Sequence, residues 1–475
     1  MGICFSSSSR RKPPGGGATS TATPAWPDLA GVILGCLPSH ADRVRFAAVC
    51  RHWRLAARQQ LPLIPPPLPW ISFNNGHFQS LPGGEAHALP DPGPARRLRC
   101  YSAFDGLVLR ELHGRARTCS LFDPFRDVSM DLPPPPPPCR HGSGYDDPYA
   151  QFPKWSTFRK LLVCSDGGGA AAVAALFKPN FREKPKIIGI CRPGAAAAAA
   201  AAWALHVRRD DDGWYEDVSF FRGKLYALDS RGHLYEFDLG GTNGSGGGRP
   251  AAKMTRPTRV MRYAAGQEEP GPAALAAAAV QGERRTTRRY LVVSGDRLLM
   301  VRWSIVEDDR PDACQMSALG LSDKEPAMEF AVFQAGWNTR AWSEVTSMAA
   351  LDDQVLFVSR GCSLALRASD YTYAGAGAGD AGVRGGRVFY LEDDGFARYV
   401  GRGRKWNLRV CGVYDLRDGT AGQVELRDGG RTWTGWPGDG DRDGGRTGVP
   451  LDHNHCHLFA VRMRATWFLP AAARW

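Results

Sequence analysis

The segment Phe220–Leu239, FFRGKLYALDSRGHLYEFDL, decides the fold. Leu225 and Ala227 alternate along one arm, Tyr235 and Phe237 along the other, and Ser230-Arg231-Gly232-His233 lies between them. Period-two alternation on both sides of a glycine-containing turn marks a β-hairpin. The same reading predicts hairpins at Arg289–Trp303 around Ser294-Gly295-Asp296 and at Arg387–Val400 around Asp393-Asp394-Gly395. Phe330–Val345, FAVFQAGWNTRAWSEV, reads as a further pair with a Gly336-Trp337-Asn338 turn.

Working outward, strands are predicted at 102–110, 117–122, 128–132, 161–164, 171–177, 186–191, 203–207, 355–359, 409–414, 423–426 and 458–464. Short strands with frequent turns and almost no helical periodicity, sustained over about 400 residues, suit radially repeated four-stranded blades of about 40–50 residues each. The expected fold is mainly β, with a small N-terminal three-helix unit followed by a β-propeller of six or seven blades. A two-sheet sandwich array is the alternative.

Residues 26–58 carry the helical exception, WPDLAGVILGCLPSHADRVRFAAVCRHWRLAAR. Pro27 suits a first helical turn, where its missing N–H has no intrahelical partner. Leu29, Val32, Ile33, Cys36 and Leu37 recur at helical spacing, and Pro38 stops the helix. Ser39 and Asp42 resemble a capping box opening a second helix through Val44, Phe46, Ala47 and Val49. A third runs through Trp53 and Leu55. So small a unit buries too little surface to stand alone, so its apolar stripe faces either the rest of the chain or another protein.

Two resemblances follow. Pro27, Leu29, Ile33, Leu34, Leu37, Pro38, Arg43-Val44, Val49-Cys50-Arg51 and Trp53 resemble an F-box. Trp26-Pro27-Asp28 replaces the commoner Leu-Pro opening, and Gly31 and Gly35 weaken the first helix by about 1 kcal/mol each relative to alanine. The segments PPPLPWISF, CSLFDPF, FFRGKLYALD, RYLVVSGDRLLMVRW, FAVFQAGWNTRAWSEV, VLFVSRGCSLAL and GGRVFYLEDD are similar to the plant F-box-associated KIB-type β-propeller, and ATWFLPA to its closing segment.

The resemblance implies a substrate-receptor subunit of an SCF-type ubiquitin ligase, not itself an enzyme. Pro27, Leu29, Ile33, Leu34, Leu37, Pro38, Val44, Val49, Cys50 and Trp53 would dock a Skp-type adaptor, and through it the cullin and RING subunits. The propeller would recruit a protein substrate. The implied division is a tether over 1–25, the F-box over 26–60, a stiff proline-rich spacer over 61–69, and the propeller over 70–475 with low-complexity insertions. The alternative is a membrane-tethered propeller scaffold acting without ubiquitylation.

The chain has 475 residues and a formal net charge of +12, with its arginines scattered. The longest basic run, Glu283-Arg-Arg-Thr-Thr-Arg-Arg289, has no base-reading motif beside it and reads as a solvated loop, so no nucleic-acid partner is expected. Twelve cysteines form no Cys-x-x-Cys pair, which excludes zinc-ribbon and thioredoxin readings. With no secretory signal and no bilayer-length apolar run read, a reducing, cytoplasmic-face location is expected, with the nucleus also open. The opening MGICFS matches an N-myristoylation signal at Gly2, with Cys4 placed for palmitoylation and Arg10-Arg11-Lys12 suited to anionic headgroups, so plasma-membrane association is a further expectation.

No hydrolase elbow, P-loop, dinucleotide fingerprint or His-Glu-x-x-His appears. His453, His455 and His457 share one face of a strand, but i to i+2 positions lie about 6.6 Å apart, so a shared zinc would need distortion. Asp439, Asp441 and Asp443 match half a calcium loop, but Pro450 stands where the closing ligand belongs. No catalytic residue, metal or cofactor is expected. An enzymatic propeller using the three histidines is the third reading.

Overall fold

The computed structural model describes most of residues 26–433 together with 465–468. The longer stretches outside it are 1–25, 89–96, 137–156, 193–202, 239–256, 264–282, 309–326, 372–382, 392–410 and 434–464. Three helices come first: α1 (Trp26–Gly35), α2 (His40–Ala48) and α3 (Arg51–Gln60). Ser39 is the N-cap of α2 in extended conformation, but its side chain makes no capping hydrogen bond, so the expected capping box does not form.

Strands follow as successive, mainly antiparallel sets. The first holds β1 (Trp70–Phe73), β2 (His77–Gln79) and β3 (Ala86–Ala88). The second is β4 (Arg97–Ser102), β5 (Val108–His113), β6 (Thr118–Asp123) and β7 (Val128–Leu132). The third is β8 (Thr157–Cys164), β9 (Ala172–Lys178), β10 (Ile187–Cys191) and β11 (Ala204–Val207). The fourth is β12 (Tyr215–Phe221), β13 (Lys224–Asp229), β14 (Leu234–Phe237) and β15 (Thr258–Tyr263).

The fifth is β16 (Glu283–Ser294), β17 (Arg297–Asp308), β18 (Ala327–Gly336) and β19 (Ala341–Glu344). The sixth holds β20 (Gln354–Val358), β21 (Leu364–Arg367), β22 (Arg387–Leu391), β23 (Cys411–Asp415) and β24 (Ala421–Gln423). A two-stranded hairpin, β25 (Leu426–Asp428) and β26 (Arg431–Trp433), precedes β27 (Ala465–Phe468). Strand β27 returns to the first sheet, pairing antiparallel with β1 from Trp70↔Phe468 to Phe73↔Ala465.

Six blade-sized units are thus formed among the described residues, and their cores lie between blades rather than within them. Leu109, Leu121 and Leu132 of the second blade meet Phe158, Leu161 and Phe177 of the third. Further cores join third to fourth, fourth to fifth and fifth to sixth. Ile71 and Phe73 of the first blade then meet Val355, Phe357 and Phe389 of the sixth, while β1 and β27 lie against β4. A blade covered on both faces needs no polar side, which is why β9 (AVAALFK) and β10 (IIGIC) are buried at every position. This is a closed β-propeller.

The opening hairpin stands as read, with Leu225↔Phe237 and Ala227↔Tyr235 paired. Phe220 and Phe221 belong to the preceding strand, joined through Arg222-Gly223 at φ 48° and 74°, a two-residue turn with both central residues left-handed. The hairpin around Gly295-Asp296 also forms, but its strands are twelve residues each, so the arginine-rich 283–289 run is strand and not loop. Strand β22 does not fold back as a local hairpin around residues 393–395. Both its edges are taken, one by β20 in parallel and the other by β23. The strand expected at 458–464 lies outside the described residues.

Candidate docking surface

The helical unit has a small core of Ala30, Leu34, Phe46, Ala47, Ala56 and Ala57, with Ile33, Leu37, Trp53 and Ile64 packed against it. Alanines at the crossings let the helices approach, and the Phe46 and Trp53 rings meet at 4.4 Å between centroids. Outside this core, Leu29 (41% exposed), Val32 (54%), Val49 (60%), Leu55 (45%) and Leu63 (78%) face solvent. They are five of the seven large apolar side chains exposed among the described residues. Cys36 and Cys50 are exposed as well, and Arg51, Arg54 and Arg58 run as an exposed row along α3.

The residues expected at an adaptor interface therefore divide. Leu29, Val49 and Cys50 point outward. Ile33, Leu37, Val44 and Trp53 are half-buried. Leu34 is fully buried inside the helical core. Periodicity gives the apolar stripe but not which of its members the neighbouring helices take. Val32 and Leu55, absent from the expected set, are exposed as well. The side chain of Pro27, all of Pro38, and Gly2 and Cys4 lie outside the described residues, as do the His453–His457 and Asp439–Asp443 segments.

The opposite side of α2 is seated on the propeller, so the proline-rich segment does not hold the two parts away from each other. His40 and Arg43 are each 2% exposed. The His40 ring meets Trp70 edge-on at 5.6 Å, and His87 stacks flat on the same indole at 4.4 Å. Arg43 Nε donates to the Leu37 carbonyl at 2.7 Å, fixing the α1–α2 junction. Arg45 joins Asp42 at 2.8 Å and Glu85 of the first blade at 3.0 Å, an exposed pair worth little by itself. Burial lowers the Arg43 guanidinium to about 10, partly offset by the Tyr371 phenol.

Burial, then the charge of Arg43 and then His87, lowers the His40 imidazole to about 4 from an ordinary 6.5. A histidine neutral when folded and protonated when unfolded stabilises fully above pH 6.5, and that contribution is lost as pH falls from 6.5 through 4. Lowering the pH from 7.5 to 5 is expected to cost about 2 kcal/mol at this site. Urea unfolding at the two pH values checks it: His40→Gln should show a smaller loss than wild type, and an equal loss would refute the assignment.

Several other buried charges tie blades together. Lys160 Nζ on β8 meets Asp217 Oδ1 on β12 at 2.7 Å, and Asp217 Oδ2 accepts the Leu291 N–H of β16 at 2.7 Å. Arg208 reaches Asp229 Oδ2 at 2.9 Å, while Asp229 Oδ1 accepts the N–H groups of Arg231 and His233 and shapes the 229–233 turn. Arg289 of the basic run is 3% exposed and bonded to Glu216 at 3.0 Å and Tyr263 at 3.2 Å. Its role is structural.

A ring of mainly antiparallel blades with cores between neighbours defines the chain as a β-propeller protein. It belongs to the KIB1-4 beta-propeller family, whose model matches residues 78–415. Among solved structures, the beta-propeller domain of Myceliophteria thermophila Cps50 (Swd1) is similar over 57% of this chain and 77% of that one, at 10% identity and a TM-score of 0.27. No curated protein matches the chain.

Proposed function

We propose that the chain is the substrate-receptor subunit of an SCF-type cullin–RING ubiquitin ligase, with the helical unit docking a Skp-type adaptor and the propeller recruiting a protein substrate. The observation that carries this reading is the concentration of exposed apolar side chains, Leu29, Val32, Val49 and Leu55, on a unit too small to leave them uncovered without reason. The exposed arginine row on α3 suits the acidic surface of such adaptors. The receptor contributes no covalent step. It raises the local concentration of substrate beside the ligase's RING and E2 partners. Seating α2 on the first blade gives the two docking surfaces a fixed relation, which proximity transfer favours.

The test is capture of the full chain by a purified Skp-type adaptor, wild type beside Leu29→Asp/Val49→Asp. Both side chains are exposed, so the variant should keep its melting temperature while losing capture by at least about tenfold. Failure of well-folded wild type to bind would overturn the reading and favour a membrane-tethered scaffold. Leu34 is unsuitable here, since a charge in the helical core would unfold the unit. Acylation at Gly2 and Cys4 would restrict the ligase to substrates at the membrane face. Incorporation of an alkyne-tagged myristate by wild type and not by Gly2→Ala is the expected result, and absence of label from both would remove the membrane address.

A further inference from the structure

We propose that the seam between the fourth and fifth blades binds an acidic segment of a partner protein through Arg259, Arg262 and Arg340. The inference extends the receptor reading above by naming the chemistry of the recruited substrate. It begins from topology. The outer strands of these two blades, β15 and β19, are joined in parallel, with Arg262↔Ala341 and Tyr263↔Trp342 in register. The Arg262 N–H donates to the Arg340 carbonyl at 3.3 Å. This pairing fuses the two blades into one eight-stranded sheet. It also brings Arg262 and Arg340 to neighbouring positions, with Arg259 about 10 Å further along β15.

All three arginines are exposed, and none has an ion pair among the described residues. Four exposed arginines elsewhere do: Arg45 with Glu85, Arg285 with Glu329, Arg367 with Asp370, Arg417 with Asp352. The acidic group on the same strand as Ala341, Glu344, stands at its far end.

The backbone adds a second observation. Arg340 has φ 52°, where glycine is the unstrained residue. The other left-handed non-glycine residue among those described, Arg222 at φ 48°, has an internal use for its side chain: Nη2 donates to the Asp296 carbonyl at 3.1 Å, and the guanidinium lies 5.0 Å from the Phe221 ring centre. Arg340 has no such internal bond among the described residues. An arginine kept in a glycine conformation, beside two more unpaired arginines, is placed for an external anion. Trp337 opens the same turn, half-buried and stacked on Phe221 at 5.8 Å.

The test is fluorescence anisotropy with a fluorescein-labelled decapeptide of alternating Glu and Gly, titrated with the full chain at low salt. Arg259→Gln/Arg262→Gln/Arg340→Gly should weaken binding by about tenfold, since several exposed pairs at a few tenths to one kcal/mol each are removed together. The glycine suits the backbone at 340, so the melting temperature should not fall. Arg285→Gln/Arg367→Gln/Arg384→Gln removes the same charge from other exposed sites and should change binding by less than about twofold.

Equal weakening in both variants, or none in the seam variant, would overturn the proposal. So would seam-dependent binding to vesicles containing one-third phosphatidylserine without seam-dependent peptide binding, which would make the ligand lipid. Adaptor capture is measured in parallel. Seam-dependent peptide binding by a chain that captures no adaptor would leave the seam standing and remove only the ligase reading.

Discussion

Asp217→Ala is expected to destabilise the propeller by about 3–5 kcal/mol, because it leaves the Lys160 ammonium buried without its counter-charge. The carboxylate is 1% exposed and holds three consecutive blades. Its Oδ1 takes Lys160 Nζ of the third blade at 2.7 Å and its own neighbour's Val218 N–H at 2.8 Å, while Oδ2 takes the Leu291 N–H of the fifth at 2.7 Å. Burial pushes the carboxyl up, and Lys160 with the two N–H groups pulls it back.

The cost of removing one partner is not the net worth of the pair, so a cycle separates them. Lys160→Met alone should also be strongly destabilising, whereas Lys160→Met/Asp217→Leu should recover a large part of the loss. Chemical denaturation of the four proteins measures it. A single-variant loss below about 1 kcal/mol would show that water or rearrangement satisfies the site.

The second large effect is expected at Gly232. Its φ is 79°, and a Cβ added there would run into the Tyr263 ring. That ring cannot step aside: Tyr263 is buried, packs edge-on to Phe333 and has its hydroxyl bonded to Arg289. The Gly232 carbonyl meanwhile accepts the Trp342 indole N–H at 2.8 Å, so a shifted turn would break a buried bond to the next blade. Gly232→Ala should cost about 2–4 kcal/mol, summing left-handed strain and overpacking. Gly295, at φ 59° with nothing within 4 Å of an added Cβ, is the control, and Gly295→Ala should cost about 1 kcal/mol. Equal losses at the two sites would show that the Tyr263 contact carries no energy.

These two sites show what could be read from sequence and what could not. Gly232 is legible as a turn residue, because alternation on both sides of it leaves no other role. That Tyr263 and Trp342 converge on it is not legible, since β15 and β19 come together only through blade stacking. Lys160 stands beside Arg159 and Asp217 beside Glu216, and nothing local distinguishes the buried pair from solvent-facing charges.

The same limit explains the arginine run at 283–289. Its length and charge suggest a loop, yet pairing with 302–308 along β17 overrides that preference. Strand β22 misleads in another way: an Asp-Asp-Gly after an apolar strand signals a local return, but β23 fills the available edge first. In the helical unit the apolar stripe was legible and its division was not. Leu34 goes inward and Val32 outward because α3 crosses on one side only.

The pairing of β1 with β27 joins residues near 70 to residues near 468. A ribosome adding about 5–20 residues per second separates their emergence by on the order of a minute. Throughout that interval the helices and first blades exist without the strand that locks them. The first sheet therefore completes last although it is made first. Such closure spans most of the chain, the kind of contact that slows folding. During synthesis the nascent chain presents an unclosed seam, a place where a chaperone can act before the ring is sealed.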